Sequence, residues 1–460
     1  MLVRQHPPVH TGAVSRVLGA LRQHDAAVRL AAAGLLAVTA AVVAWERVGY
    51  PARGVAWAED SARFLHERLT LGPLRALWQP YDGYLHLLPR LVVDAAVGVT
   101  RIDGYALVVS ALSCAVLGLV CGLVFLLSRE VAGAGPVASW PVRLLLGATP
   151  ALIPLAPVEI AGNAANLHWY LLFAAPWLFA VRPRSWWTAG AAALAVAVVT
   201  TSEIQAALFL PLLLLNRRVL RAVPVAAAAV LGVAAQVAVT LSHPRSASHH
   251  GGTTSVHDMT AGFVAQVVGG SWDADARTVG SAVSAHGWWI VVVPTVVVLG
   301  CIGVAVLRAA RHTRWMLLAT TAAALAVWFA ALVVNRTPRT DWTSYTSTDW
   351  AAAEPMRYAA AGSMFLAASV VLAAGVFLGR GRVLRVVGAL LVVAVVGAVV
   401  AGAGAVPLRA GGPVWSTQVH ERAAFCAAHP RASVPIRAMP PRAGWSAAVP
   451  CWMVEQADGG

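Results

Sequence analysis

Lysine is missing from this sequence altogether: all 34 of its basic residues are arginine. Beside its abundance of Ala, Val and Gly, that absence points to a GC-rich genome such as an actinobacterium's, and it carries no mechanism. Charge is scarce too. Charged residues fill 12% of the 460 positions and hydrophobic residues 59%. A soluble domain carries about twice that charged share, so an ordinary soluble enzyme is excluded. The apolar runs are continuous rather than alternating, which excludes an outer-membrane barrel. Cysteine is rare, with five residues and no CxxC pair or zinc spacing. Walker loops and GxGxxG fingerprints are also absent, and no internal repeat of the kind many transporters show is detectable.

What is present is a succession of apolar stretches, each near the ~20 residues a bilayer-crossing helix needs. Eleven are counted, at about 30–44, 102–127, 140–157, after 170, 188–201, 205–215, 222–241, 288–307, 315–334, 358–378 and 386–406. The fold class expected is an all-α polytopic membrane protein. Residues 1–29 read as a cytoplasmic tail, 30–406 as the membrane domain and 407–460 as an outer tail. The first apolar run starts late and is followed by no small-residue cleavage site, so it reads as a retained helix rather than a signal peptide.

Orientation follows from the short turns. With the N-terminus inside, the inner segments hold seventeen arginines against two acids, Asp25 and Glu130, and every short inner turn is basic. The remaining acids fall outside, in longer loops at 46–101, 242–285 and 335–357. The expected location is the plasma membrane, with the C-terminus extracytoplasmic. Such a distribution explains the net charge of +14 by membrane orientation, without nucleic acid as a partner. Cys114, Cys121 and Cys301 lie in spans. Cys426 and Cys451 share the oxidising outer tail, where a disulfide between them is expected.

All the polar islands fall on that outer face. They are Glu59-Asp60, the GYLHLLPR block (Gly83 to Arg90), the turn from Glu159 to Tyr170, Glu203, a loop with His243, His249, His250 and His257, and the Asp341–Tyr358 segment. A carrier or pore places ionisable groups at mid-membrane instead. The histidine loop has no diagnostic metal spacing, and its Ser, Gly and Thr content suggests a mobile lid rather than a metal site.

With its WAED sequence at Trp57–Asp60, the amphipathic stretch after it and GYLHLLPR, the chain resembles the GT-C superfamily of membrane glycosyltransferases. NAANLHWY (Asn163–Tyr170) and the Met356–Tyr358 triplet add to the likeness. The resemblance implies a donor sugar on a polyprenyl-phosphate carrier and a glycan, lipid or protein acceptor outside the cell. It also implies amphipathic helices in the first outer loop, lying along the membrane lipids. The acidic pair of the first loop, Glu59-Asp60, is not of the DxD form, which leaves a divalent cation as an open cofactor.

An inverting transfer needs a carboxylate to take the acceptor's proton. Asp60 or Glu59 is the candidate, and neighbours on a helix point about 100° apart, so one of them faces the pocket. Arg90 and Arg357 are candidates for the leaving phosphate. His86 and His168 are candidates for phosphate or sugar, and Trp57, Tyr84, Trp169 and Tyr358 for stacking on the sugar or holding the lipid near the interface. Glu159, Asn163, Asn166 and Glu203 are further substrate contacts. Each has a plainer alternative: Glu59-Asp60 as a helix cap, Arg90 snorkelling to lipid phosphate, and Trp169 as an interfacial anchor. Two competing functions remain open, a lipid-linked oligosaccharide flippase or ligase and a non-enzymatic envelope scaffold.

Overall fold

The structure is a computed structural model that describes residues 11–132, 139–245, 254–335, 340–442 and 444–458, with the side chains of 11–24 and 130–132 outside the description. It is 77% helical. In chain order the helices are α1 (Thr11–Val48), α2 (His66–Leu71), α3 (Pro73–Leu77), α4 (Leu87–Val99), α5 (Tyr105–Ala132), α6 (Trp140–Leu152), α7 (Leu167–Phe179), α8 (Trp186–Thr200) and α9 (Val223–Ser242). They continue as α10 (Val256–Gly262), α11 (Ala276–His286), α12 (Trp289–Arg308), α13 (Arg311–Val334), α14 (Ser347–Ala351), α15 (Arg357–Leu378) and α16 (Arg382–Ala401). A small terminal unit holds α17 (Trp415–Glu421), α18 (Ala423–Ala428), strands β1 (Ser433–Arg437) and β2 (Ser446–Pro450), and α19 (Cys451–Asp458).

Among the described residues, seven helical stretches are long and apolar enough to cross a membrane. They are Asp25–Val48, Ile102–Arg129, Leu220–Ser242, Trp289–Arg308, Arg311–Val334, Arg357–Leu378 and Arg382–Ala428. All eleven apolar stretches of the sequence are helical, but four are short. α6, α7 and α8 have 13, 13 and 15 residues, and the stretch Ile204–Asn216 is a 3₁₀ helix of 13 residues. At 1.5 Å per residue the three α-helices reach only about 20 Å, short of the ~30 Å hydrocarbon layer. The 140–157 stretch breaks where α6 ends at Leu152 and a π-helical turn, Ala156–Ile160, follows.

Apolar residues on every side bury a helix completely. α7, LHWYLLFAAPWLF, is buried at all its positions, and α15, rich in Ala, Gly and Ser, at nearly all of its own. α1 packs along α5 at the spacing Gly118-xxx-Gly122, and a Cβ on either glycine would meet the Ala37 or Ala33 carbonyl oxygen at 2.2 or 2.7 Å. Small residues four apart let two backbones approach this closely.

The N-terminal segment is helical from Thr11, continuous with the first apolar run. One expectation needs correction. The 242–285 loop is no loose lid over its described part. Phe263–Val268 forms a π-helical turn with every residue buried, and α10 and α11 flank it. Its FVAQVVGG run is apolar enough to fold into the bundle, although the Ser, Gly and His around it dominate the average. His243 and His257 are exposed, and His249 and His250 lie outside the described residues.

The terminal unit is folded and docked. β1 and β2 pair antiparallel, with Ser433 opposite Pro450 and Arg437 opposite Ser446. Cys426 and Cys451 are joined as a disulfide. Backbone bonds tie the unit to the start of the first long loop, Ala58 N to Met439 O at 2.8 Å and Met439 N to Ala56 O at 3.0 Å. The Trp415 indole donates to the Ile102 carbonyl at 2.6 Å.

Candidate active site

Beside the first long loop, at the end of the bundle where α5 and α15 begin, lies a chamber of about 320 Å³. The loop reaches it through a tight turn. Tyr81 and Tyr84 exchange backbone hydrogen bonds at 3.0 and 3.2 Å across Asp82-Gly83. Both central residues have positive φ, 51° and 83°, the conformation for which Asp-Gly is favoured in a two-residue turn. α9 clamps the segment that leaves the turn. Gln236 accepts from Leu85 N at 2.8 Å and donates to Leu85 O at 3.1 Å, while Thr240 donates to Gly83 O at 2.7 Å.

Nine of the residues singled out in the sequence line this chamber: Glu59, Tyr84, His86, Asn166, His168, Trp169, Glu203, Arg357 and Tyr358. They come from the first loop, the mouth of α7, the Glu203 turn and the start of α15, segments far apart in the chain.

The adjacent acids divide. Glu59 is 8% exposed and lines the chamber; its Oε1 lies 3.4 Å from Arg357 Nη1, while its Oε2 is buried without a hydrogen-bond partner. Asp60 is not part of the wall. It is 1% exposed, and its two oxygens accept from Ala164 N at 3.0 Å and Ala165 N at 2.7 Å. Burial pushes its carboxyl up to about 7, against the pull of those amides. Asp60 therefore pins the 163–166 turn to the first loop.

Arg357 also lies 3.6 Å from Glu159 Oε1, so one guanidinium bridges two carboxylates. Burial raises the Glu159 carboxyl to about 7, with Arg357 opposing the rise. Glu159 faces a second crevice rather than the chamber. That crevice is walled by Trp57, Glu59, Glu354, Arg357 and, from the terminal unit, Arg442 and Trp445. Glu59 and Arg357 thus sit where the two spaces meet.

On the chamber's other wall, His168 Nδ1 is hydrogen-bonded to Glu203 Oε2, and Glu203 Oε1 accepts from Gln205 N at 2.7 Å. The ring is packed on Trp169 at 4.2 Å between centroids. Trp169 donates to Asn166 Oδ1 at 3.2 Å and meets Tyr358 edge-on at 5.9 Å. It is 3% exposed, a wall of the chamber and not an interfacial anchor. His86 lies against Tyr84 at 4.1 Å, and both its ring nitrogens are buried without a partner. Burial first, then His168 and Arg90, hold His86 well below the usual histidine range, so the ring is neutral.

Two candidates lie off the chamber. Arg90 is 2% exposed, paired with Glu67 at 2.5 Å and stacked over Phe64 at 4.8 Å, so its charge is spent inside the loop. Asn163 is fully buried, donating to Glu159 O at 2.6 Å and accepting from Asn166 N at 3.0 Å. Neither lines the chamber. Residues not singled out in the sequence take their place: Tyr81, Asp82 and Arg245, with Arg245 Nη2 2.9 Å from Asp82 Oδ2. The Asp-Gly pair between two tyrosines was the signal for the first two. Arg245, at the edge of a loop, offered none.

For a divalent cation the donor set fits poorly. Arg357 already stands between Glu59 and Glu159, and His168 and Glu203 are bonded to each other. No group of three or more His, Cys, Asp or Glu side chains suited to a metal occurs among the described residues. Comparison with family models, with curated proteins and with solved structures finds no match, so no family is assigned to the chain.

Proposed function

We propose that this chain is a polytopic membrane glycosyltransferase that moves a sugar from a polyprenyl-phosphate donor to the hydroxyl of an extracytoplasmic acceptor. One observation carries the reading: Glu59, a buried carboxylate with one oxygen steadied by Arg357 and the other unpartnered, at the junction of two cavities. Such a group can accept a proton from a hydroxyl that enters from one space while the reacting carbon lies in the other.

In that mechanism Glu59 Oε2 takes the acceptor's hydroxyl proton as the acceptor oxygen bonds to the anomeric carbon. The bond from that carbon to the phosphate oxygen breaks, and its electron pair leaves with the phosphate. Arg357 holds Glu59 aimed. Arg245, which belongs to the chamber alone, is the guanidinium suited to the phosphate, because a planar fork matches phosphate oxygens. Neutral His86, with both nitrogens unspent, and His168, oriented by Glu203, suit sugar hydroxyls. Trp445 and Arg442 suit a polar acceptor in the crevice. The resemblance of the Trp57–Leu91 stretch to GT-C enzymes agrees with this assignment; the eleven-span count and the inside–outside orientation belong to it as well.

The test uses the purified protein with ¹⁴C-sugar-labelled polyprenyl-phosphate lipids and a membrane glycan extract. Transfer of label that survives in wild type and is lost in Glu59→Gln supports the assignment. Label that crosses vesicle membranes without being transferred would favour a flippase and defeat it.

A further inference from the structure

A groove of about 280 Å³ lies between α6, α12, α15 and α16. Its walls are mostly apolar, with Leu152, Val298, Leu366 and Val395 among them. The hydroxyls of its described lining are already bonded. Thr149 donates to Leu145 O at 2.8 Å, Ser271 to Val267 O at 2.6 Å and Ser363 to Ala360 O at 3.0 Å. Where α6 ends, Arg47 donates to the Ile153 and Pro154 carbonyls at 3.0 and 3.2 Å. A sugar or a peptide placed here would give up hydrogen bonds to water and find few in return, a cost for every polar group it brings. A hydrocarbon chain gives up none. α12, α15 and α16 all belong to stretches long and apolar enough to cross a membrane, so such chains surround the groove.

The groove leads to the Glu159 side of Glu59 and not to the chamber. On that side the crevice adjoins a wider space of about 930 Å³, with Glu159, Glu354, Arg357 and Arg442 as shared walls. Three segments run from the groove to these spaces. The turn after α6 has Pro154 on the groove and Glu159 on the crevice, and the π-helical turn Phe263–Val268 has Val268 on the groove and Gln266 on the wider space. α15 lines the groove from Ser363 to Val370, about 9 to 20 Å along the helix from Arg357. Gln266 accepts from Met356 N at 3.2 Å, which fixes the rim between them. Among the described residues, α6, Phe263–Val268, α12 and α16 contribute nothing to the chamber's wall.

We propose that this groove holds the hydrocarbon chain of a lipid acceptor, whose hydroxyl-bearing headgroup stands in the crevice beside Glu59. The inference rests on the transferase reading and names its acceptor as a lipid, ahead of a soluble glycan or a protein. The donor's phosphate, at Arg245, belongs to the chamber, so donor and acceptor reach Glu59 from separate sides. The headgroup oxygen bonds to the anomeric carbon and its proton passes to Glu59 Oε2, while the phosphate leaves with the electron pair of the broken bond. A chain is no better solvated in the groove than in the bilayer, so the groove supplies placement rather than affinity.

Photolabelling of the full chain in dioleoyl phosphatidylcholine nanodiscs tests this. The probe is octadecyl β-glucoside with a diazirine at mid-chain, and labelled peptides are mapped by mass spectrometry. Label should fall on α6, α12, α15 and α16, be displaced by excess unlabelled octadecyl glucoside, and persist in excess undecaprenyl phosphate. Gly397 lines the groove and a Cβ there meets nothing within 4 Å, so Gly397→Leu adds its side chain to open space. That variant should lose the displaceable label, while Gly300→Leu, equally open but on α12 outside the groove, keeps it. A melting curve establishes that both are folded, and the competition result stands without either. Wild type should also place ¹⁴C-sugar on octadecyl glucoside, and Gly397→Leu should lose that transfer. Label displaced by undecaprenyl phosphate and not by the glucoside assigns the groove to the donor's chain and overturns the proposal. Label spread over all the spans, indifferent to competitor and to Gly397→Leu, overturns it as well. Transfer to a soluble glycan without specific labelling defeats this inference and leaves the transferase reading standing. Specific labelling with no transfer to any acceptor defeats that reading, and with it the lipid's part as acceptor.

Discussion

Asp60 and Glu59 are neighbours in sequence, and the structure gives them different partners, so exchanging each for its amide should separate them. In Asp60→Asn, one carboxylate oxygen becomes an NH₂ group facing a backbone N–H. Ala164 and Ala165 present two amide donors at 3.0 and 2.7 Å, so one of them loses its acceptor. The site is 1% exposed, and water cannot replace the lost partner. An orphaned buried donor costs about 1–3 kcal/mol. At pH 6 the wild-type carboxyl, raised to about 7, is mostly neutral. Little charge-burial cost is then relieved by the substitution, and about 2 kcal/mol of net destabilisation remains.

Glu59→Gln is different in kind. Its Oε2 has no hydrogen-bond partner to lose, and the Arg357 contact at 3.4 Å is long. Stability should change by less than about 1 kcal/mol, while loss of a general base lowers turnover about 10²- to 10⁴-fold. The assay pairs thermal unfolding in detergent at pH 6 with sugar transfer per folded molecule. Asp60→Asn should melt several degrees lower yet transfer normally once corrected for folded fraction. Glu59→Gln should melt like wild type and transfer nothing measurable. A folded, inactive Asp60→Asn beside a fully active Glu59→Gln would refute the assignment.

The raised carboxyl of Glu159 predicts a pH dependence of stability. Its folded value of about 7 exceeds the ordinary 4.5, so the folded state holds the extra proton between those limits. The share of stability tied to Glu159 should therefore fall as pH rises from about 4.5 to about 7, on the order of 3 kcal/mol, and level off above. Glu159→Gln should remove that share in melting curves at pH 5 and pH 8, leaving the slope of the same sign that Asp60, also raised to about 7, contributes. His86→Phe keeps the packing against Tyr84 and removes two unpartnered nitrogens, so it should raise the KM for the donor about tenfold while leaving the melting temperature within a few degrees. Gly118→Ala drives a Cβ toward the Ala37 carbonyl at 2.2 Å. Separating α1 from α5 should cost about 1–3 kcal/mol, seen as a lower melting temperature. Reducing the Cys426–Cys451 bridge, which closes a separation of 25 residues, should loosen the terminal unit by about 3 kcal/mol and expose β1 and β2 to protease before the helices.

Apolar helices were legible because their signal is composition summed over many residues, and every stretch singled out is helical. Whether a helix crosses was less legible. The sequence shows that α6 and α8 are apolar, but not that a π-helical turn follows the one and a 3₁₀ run the other. The site followed the same rule at finer scale. Residue type marked Glu59, His86, His168, Glu203 and Arg357, because a charge or imidazole at a span's mouth is costly unless something uses it. Type alone could not tell Glu59 from Asp60, or Arg90 from Arg245. That difference is made by partners distant in the chain. Glu67 holds Arg90 inside the loop and off the chamber, the amides of Ala164 and Ala165 consume Asp60, and Asp82 brings Arg245 to the chamber. A charged group becomes available for chemistry when the fold leaves part of it unpaired. Among the described residues Glu59 is the cavity-lining acid with a buried, unpartnered oxygen, which is why its amide substitution decides more than any other.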